Sequence, residues 1–285
     1  MKNIVFDLGR VLLDYQPLVW LKKKNYTHYN ELFEIIFQNP SWIKLDEGTI
    51  TREEFIEKLI NEYPELALDI EEIMEEWIEL LLPVENNIKL VSLLKEKGYH
   101  LYIISNFHLD AYNRFLKKQD WFTLFDGAII SAKEKLIKPD LRIYKLLLER
   151  YHLNADECLF IDDSLDNINA CKNVGMDAIH LPDHSKLEEE LKNIILFKKK
   201  RALARFFHYI SQRPLSSPYT EYQSLLKSVT ALEILGFSKI AFNTLTGAVT
   251  AWLPALNASL TCCTPLKLAA RILQSYPSST ILLDK

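Results

Sequence analysis

Phe6-Asp-Leu-Gly-Arg-Val11 ends the first apolar run of the chain, Asn3-Ile-Val-Phe6, on a carboxylate. Three later stretches set polar, acidic or cationic groups beside the ends of further apolar runs: Tyr102-Ile-Ile-Ser-Asn106, Ile137-Lys-Pro-Asp140 and Leu159-Phe-Ile-Asp-Asp-Ser164. Open α/β sheets build their sites at strand ends. The four stretches, taken in order, therefore predict a site that none of them predicts alone.

Around these stretches short β-rich runs alternate with helical patterns, which predicts an α/β fold with a doubly wound, Rossmann-like parallel sheet. The predicted strands are 3–6, 100–104, 128–131, 158–161 and 178–181. A helix is predicted over 87–97, with Ile88, Val91, Leu93 and Leu94 on its apolar side and a stop at Gly98. Asp140, after Pro139, is positioned to cap a helix carrying Ile143, Leu146 and Leu147. From about Tyr15 to Pro83 the alternation breaks into purely helical patterns, with Thr51-Arg-Glu-Glu54 reading as a capping box. An all-helical insert between the first two predicted strands would lie over the strand ends as a lid. Trp20, Phe33, Phe37 and Trp42 in this insert sit at near-helical spacing and read as its core.

The 285 residues carry a net charge of −4, unevenly spread: residues 198–285 hold +8 and the preceding part −12. This shift marks a boundary near Phe197. The expected organisation is a core formed by 1–14 and 84–197, a helical cap over 15–83, and an unassigned basic extension over 198–285. The extension starts with Lys198-Lys-Lys-Arg201, a single basic cluster that gives no expectation of nucleic-acid binding. The cysteines at 158, 171, 262 and 263 have no zinc-type spacing and read as reduced structural thiols. No apolar run reaches the ~18 residues of a membrane span, and the start of the chain lacks the apolar region of a signal peptide, so a cytoplasmic location is expected.

In these four motifs and their order, residues 1–196 resemble the haloacid dehalogenase superfamily of phosphohydrolases, in the branch with a small helical cap after the first strand. The Phe-Asp-Leu-Gly stretch is similar to its sugar-1-phosphatase-like members. The resemblance implies that Asp7 is a nucleophile forming an aspartyl-phosphate and that Ser105 and Asn106 bind phosphoryl oxygens. Lys138 would serve both catalysis and phosphate binding, with its ammonium aimed at the dianion. It also implies Mg²⁺ held by Asp7, Asp162 and the backbone carbonyl of Gly9, with Asp163 supporting and Asn167 or Asp166 positioning the following loop. The chemistry agrees with the residue types. A carboxylate attacks phosphorus once the phosphoryl charge is offset, and adjacent carboxylates at a strand end call for a hard cation.

The chain departs from the family pattern at Gly9, where most phosphatases of the family carry a second Asp as general acid. Loss of such an acid costs ~10²–10⁴ in rate unless another group acts. That favours an acidic leaving group, and a hexose 1-phosphate is the preferred substrate; Asp14 is a candidate substitute acid that geometry must decide. Lys133 and Lys135 also differ from the expected pattern and add positive charge near the motif lysine. His108 and Asp110 follow Ser105 and are assigned no catalytic role. The expectation is thus a magnesium-dependent phosphomonoester hydrolase acting on a small phosphorylated metabolite. The alternatives are a metal-independent dehalogenase, against which the Asp162-Asp163 pair argues, and a phosphate-binding regulatory protein that has lost turnover.

Overall fold

The computed structural model describes residues 2–195; the predicted extension over 198–285 lies outside them. β1 (Asn3–Phe6) leads into the two-residue strand β2 (Leu13–Asp14). A helical stretch follows, comprising α1 (Pro17–Lys23), α2 (Tyr29–Leu32) running on as a wider turn over Phe33–Phe37, α3 (Pro40–Glu47), α4 (Arg52–Glu62) and α5 (Ala67–Glu76). β3 (Leu82–Pro83) then pairs antiparallel with β2, Leu13 opposite Pro83. The rest of the described chain runs α6 (Glu85–Glu96), β4 (His100–Ser105), α7 (Leu109–Leu116), β5 (Gly127–Ile130), α8 (Ser131–Glu134), α9 (Leu141–Arg150), β6 (Cys158–Asp162), α10 (Leu165–Asn173) and β7 (Asp177–His180).

Five strands form one parallel sheet in the order β5-β4-β1-β6-β7. Strand β1 is Asn-Ile-Val-Phe, and all four residues are buried, as expected for a central strand covered on both faces. On one face Val5, Ile104, Ile129 and Phe160 pack with Ile143, Tyr144 and Leu147 of α9 and Ile168 of α10. The alternate residues Ile4, Phe6, Ile103 and Ile161 are also buried, so helices and loops must cover the other face too. Each such side chain contributes roughly 1.5–3 kcal/mol on burial. Because β4 and β6 flank β1, successive chain halves leave it in opposite directions, and the carboxyl ends of the three strands face a common crevice.

The predicted strands all form, with ends shifted by a residue at most, and Asp140 caps α9 by accepting from the Arg142 N–H at 2.8 Å. The Thr51–Glu54 capping box forms at the start of α4. Two expectations are corrected. Leu93 is exposed, and the buried stripe of α6 runs Asn87, Val91, Leu94 instead. The Asn87 amide is tolerated there because it donates to the carbonyls of Val11 at 2.7 Å and His184 at 3.0 Å. The stretch from Tyr15 to Pro83 was expected to lack strands, yet its last two residues are β3, which closes the base of the insert against β2. A two-residue strand carries too little alternation to be seen in sequence.

Candidate active site

Asp7 is the first residue beyond β1, and its N–H continues the ladder by donating to the Ile161 carbonyl at 2.9 Å. Ser105 ends β4 opposite Ile130, and Asp162 ends β6 opposite His180. Lys138 arrives from the loop between α8 and α9. Its backbone is clamped by Asn106: the Lys138 N–H donates to Asn106 Oδ1 at 2.9 Å, and Asn106 Nδ2 donates to the Lys138 carbonyl at 3.1 Å. Asn106 thereby ties the third motif to the second.

The Lys138 ammonium bridges Asp7 Oδ1 and Asp162 Oδ2, 2.7 Å from each, and all three side chains are almost completely buried. Asp162 is held further by the Ser164 N–H at 2.8 Å and by Asn167 Nδ2 at 3.0 and 3.1 Å from its two oxygens. Asn167 is itself fixed through its carbonyl, which accepts from the Tyr144 hydroxyl at 3.1 Å. Asp163 pairs with Arg10 at 3.4 Å. Burial pushes the Asp7 carboxyl up to about 7, and its pull outweighs the attraction of Lys138; the neighbouring Asp162 and Asp163 charges push the same way. Burial alone would pull the Lys138 ammonium down, but the Asp162 and Asp7 carboxylates hold it above its ordinary value. Burial, aided by Asp162, also raises Asp163.

Asp7, Asp162 and Asp163 each offer an oxygen within 4.8 Å of the others. All three donors are hard, and their mutual repulsion raises Asp7, so the residues fit a magnesium ion better than a soft metal. Gly9, the position lacking a side chain, has no atom within 4 Å of where a Cβ would stand, so the space an acid would use there is open.

The helical insert reaches this crevice through the end of α3. Gly48 caps α3 at φ 73°, a left-handed conformation suited to glycine, and a Cβ there would stand 2.5 Å from the Ala132 carbonyl oxygen of α8. The Ser131 hydroxyl donates to the Asp46 carbonyl, and the Lys135 ammonium donates to the Gly48 carbonyl. Lys135 therefore staples the insert to the core. Lys133 lies over the Tyr112 ring, 4.5 Å from its centroid. Trp42 centres an aromatic cluster with Phe37, Phe55, Trp77 and His108, at 5.2, 5.8, 5.3 and 5.8 Å between ring centroids. Phe37, Trp42, Phe55 and Trp77, with half-buried Trp20 and Phe33, make the insert core, which includes the four rings that spacing predicted, and His108 packs on it from the loop after β4. His108 is buried with neither ring nitrogen bonded, and burial, reinforced by Arg52 and Arg114, pulls it down to about 3. It stays neutral. Asp110 pairs with Arg114 at 3.6 Å.

Asp14 is taken up by Gln16, whose Nε2 donates to both its oxygens at 2.9 and 3.0 Å. A different carboxylate, Asp46, was missed by sequence reasoning and sits beside the site. Burial pushes it up to about 7, while hydrogen bonds from the His108 backbone and the Trp42 side chain draw it down; it also feels the charges of Asp7 and Lys138. Tyr15, half-buried, is raised by burial and by Asp46.

A model of the haloacid dehalogenase-like hydrolase family matches residues 1–175. Among curated proteins, the chain is 27% identical over 194 residues to a sesquiterpene phosphatase of Aspergillus oryzae, covering 68% of this chain and 96% of that protein. It is 24% identical over 209 residues to a D-ribitol-5-phosphate phosphatase of Bacteroides thetaiotaomicron, covering 68% and 98%. Two other curated relatives are longer, and the chain spans 19% and 38% of their length. A haloacid dehalogenase family enzyme of Bacteroides thetaiotaomicron, crystallised with magnesium and inorganic phosphate, superposes with a TM-score of 0.51 at 23% identity, covering 63% of this chain and 93% of that one. It shares the fold.

Proposed function

Because the chain belongs to the haloacid dehalogenase-like hydrolases, we propose that it is a magnesium-dependent phosphomonoester hydrolase working through an aspartyl-phosphate on Asp7. The observation that carries this reading is the buried Asp7–Lys138–Asp162 bridge at the carboxyl ends of β1 and β6, with Asp163 beside it. The phosphatase relatives support it.

In this reading Asp7 attacks phosphorus in line with the leaving oxygen, and water later releases phosphate from the carboxylate, so that two lower barriers replace one. Lys138 offers its ammonium to the phosphoryl oxygens at the mouth of the bridge it now makes. The Ser105 hydroxyl at the end of β4 donates to the same oxygens, and Asn106 fixes Lys138 while lining that loop. Asp7, Asp162 and the Gly9 carbonyl would hold Mg²⁺, with Asp163 supporting and Asn167 locking Asp162; the ion would offset charge on the phosphoryl group. The helical insert over 15–83 acts as a cap that limits water and selects the substrate, and residues 1–14 and 84–197 are the core. Residues 198–285 are expected to be dispensable for this chemistry, which truncation at Phe197 tests.

The substrate is a small phosphorylated metabolite. Gly9 favours an acidic leaving oxygen, as in a hexose 1-phosphate, while the relatives extend the range to sugar-alcohol and terpenyl phosphates. Phosphate release by purified protein should be measured with and without magnesium against hexose 1- and 6-phosphates, a sugar-alcohol phosphate, a terpenyl phosphate and 4-nitrophenyl phosphate, with Asp7→Asn as control. Release that needs both magnesium and Asp7 is expected. Release that persists in Asp7→Asn contradicts the nucleophile assignment, and equal turnover of 1- and 6-phosphates removes the case for a hexose 1-phosphate.

A further inference from the structure

We infer that Asp46, delivered by the helical insert, is the proton-transfer residue that Gly9 cannot be. It protonates the departing alkoxide and then draws a proton from the attacking water. The inference rests on the reading of Asp7 as nucleophile.

Four observations carry it. Asp46 lies in the last turn of α3, immediately before Glu47 and the Gly48 cap. Negative charge is disfavoured at a helix C-terminus, so the position is a poor one for an acid unless the acid has work to do. The carboxyl group is bonded by the backbone of His108, three residues beyond Ser105, and therefore hangs on the loop that presents the phosphate-binding hydroxyl. Its backbone is fixed to the opposite wall by Ser131, while the adjacent Gly48 is fixed by Lys135. That arrangement holds α3 at one distance from the strand ends, and a group that transfers protons needs such a hold. Asp46 also senses both Asp7 and Lys138 electrostatically.

The group is suited to both directions of transfer. Burial pushes it up to about 7, close to a working pH, which is where a general acid and base serves best. The charged and titratable groups facing it are Asp7, Lys138 and Tyr15; the Trp42 side chain and the His108 backbone donate to it. In the first step a carboxylate oxygen of Asp7 bonds to phosphorus, the bond from phosphorus to the ester oxygen breaks, and the Asp46 proton passes to that oxygen, giving a neutral alcohol. In the second, water oxygen bonds to phosphorus, the bond to Asp7 breaks, and a water proton returns to Asp46, leaving inorganic phosphate and both carboxyls as they began. An acid of this kind lifts the need for an acidic leaving group.

Leaving-group dependence tests it. Single-turnover rates of wild type, Asp46→Asn and Asp7→Asn should be compared on 4-nitrophenyl phosphate, whose phenolate leaves unaided, and on benzyl phosphate, whose alkoxide does not. Asp46→Asn is expected to lose ~10²–10⁴ on benzyl phosphate but less than about tenfold in the nitrophenolate burst. It should then stall as aspartyl-phosphate, because the second step lacks its base. Equal losses on both esters, or none, overturn the assignment. Activity of Asp7→Asn on either ester instead brings down the nucleophile reading, and this inference with it. Trp42→Phe, which keeps an aromatic ring but removes a donor to Asp46, supplies a second test that does not depend on losing the carboxyl. The pH at which benzyl ester cleavage declines should move up, and an unmoved profile counts against Asp46.

Discussion

The strand ends and the helical insert contribute to one crevice by opposite means. At the strand ends charge is concentrated and locked: Asp7, Lys138 and Asp162 are buried and bonded to one another, and Asn106 and Asn167 hold them from behind. The insert supplies Trp42 and Trp77 to a nearly neutral aromatic wall that His108 completes from the loop after β4, with one acid of the insert, Asp46, at its edge. The first region bears a desolvation cost that ion pairing offsets only in part, and its concentrated charge suits stabilising a transferring dianion. The second region excludes water and can differ between relatives without disturbing the first. In the proposed reading the strand ends supply the nucleophile and the phosphate site, while the insert supplies the proton-transfer acid and the wall that would select the substrate.

That division is open to attack by mutation, beginning where the effect should be greatest. Asp7→Asn is expected to lower phosphate release by on the order of 10³–10⁶, with a stable fold, as seen when a nucleophile is removed; steady-state kinetics and a melting curve report the two quantities. Lys138→Ala strands two buried carboxylates at once and should cost stability as well as rate, roughly 3–5 kcal/mol in denaturant unfolding. Mg²⁺ should restore part of that stability if the carboxylates bind it. Gly48→Ala leaves every charged group in place but strains a left-handed backbone pressed against Ala132, and should cost about 1–3 kcal/mol. Its activity should fall equally on aryl and alkyl esters, in contrast to Asp46→Asn.

The smallest effect concerns the aromatic wall. His108 is held neutral with a depressed pKa of about 3 against an ordinary 6.5. Its contribution to stability is therefore full above about 6.5 and is lost as pH falls through that value toward 3, because the unfolded chain takes up the proton first. Melting temperatures followed from pH 7 down to 4 should decline less steeply in His108→Phe than in wild type.

The strand-end half of this arrangement is legible in sequence and the insert half is not, for a physical reason. Asp7, Ser105 and Asp162 each terminate an apolar run, and Lys138 precedes a Pro-Asp helix start, so local patterns carry their positions. Asp46 is brought to the site by packing of α3 against α8, with contacts from Ser131 and Lys135 more than eighty residues away, and no local pattern encodes them. The one hint was the misplaced acid in the last turn of a glycine-capped helix. Lys133 and Lys135 show the same limit: the sequence reads them only as positive charge added near the motif lysine, whereas one rests on Tyr112 and the other on the Gly48 carbonyl. Asn87 is a further case, since a buried amide is chosen by the carbonyls it must satisfy, which belong to distant loops.

The central claim is covalent chemistry at Asp7, and the most direct measurement is to quench the enzyme with acid during turnover of 4-nitrophenyl phosphate in magnesium and map the mass of its peptides. The account predicts one added phosphoryl group on the peptide containing Asp7, more of it in Asp46→Asn, and none in Asp7→Asn. Turnover in magnesium with no phosphorylated Asp7 peptide at any time, in wild type or Asp46→Asn, would contradict it.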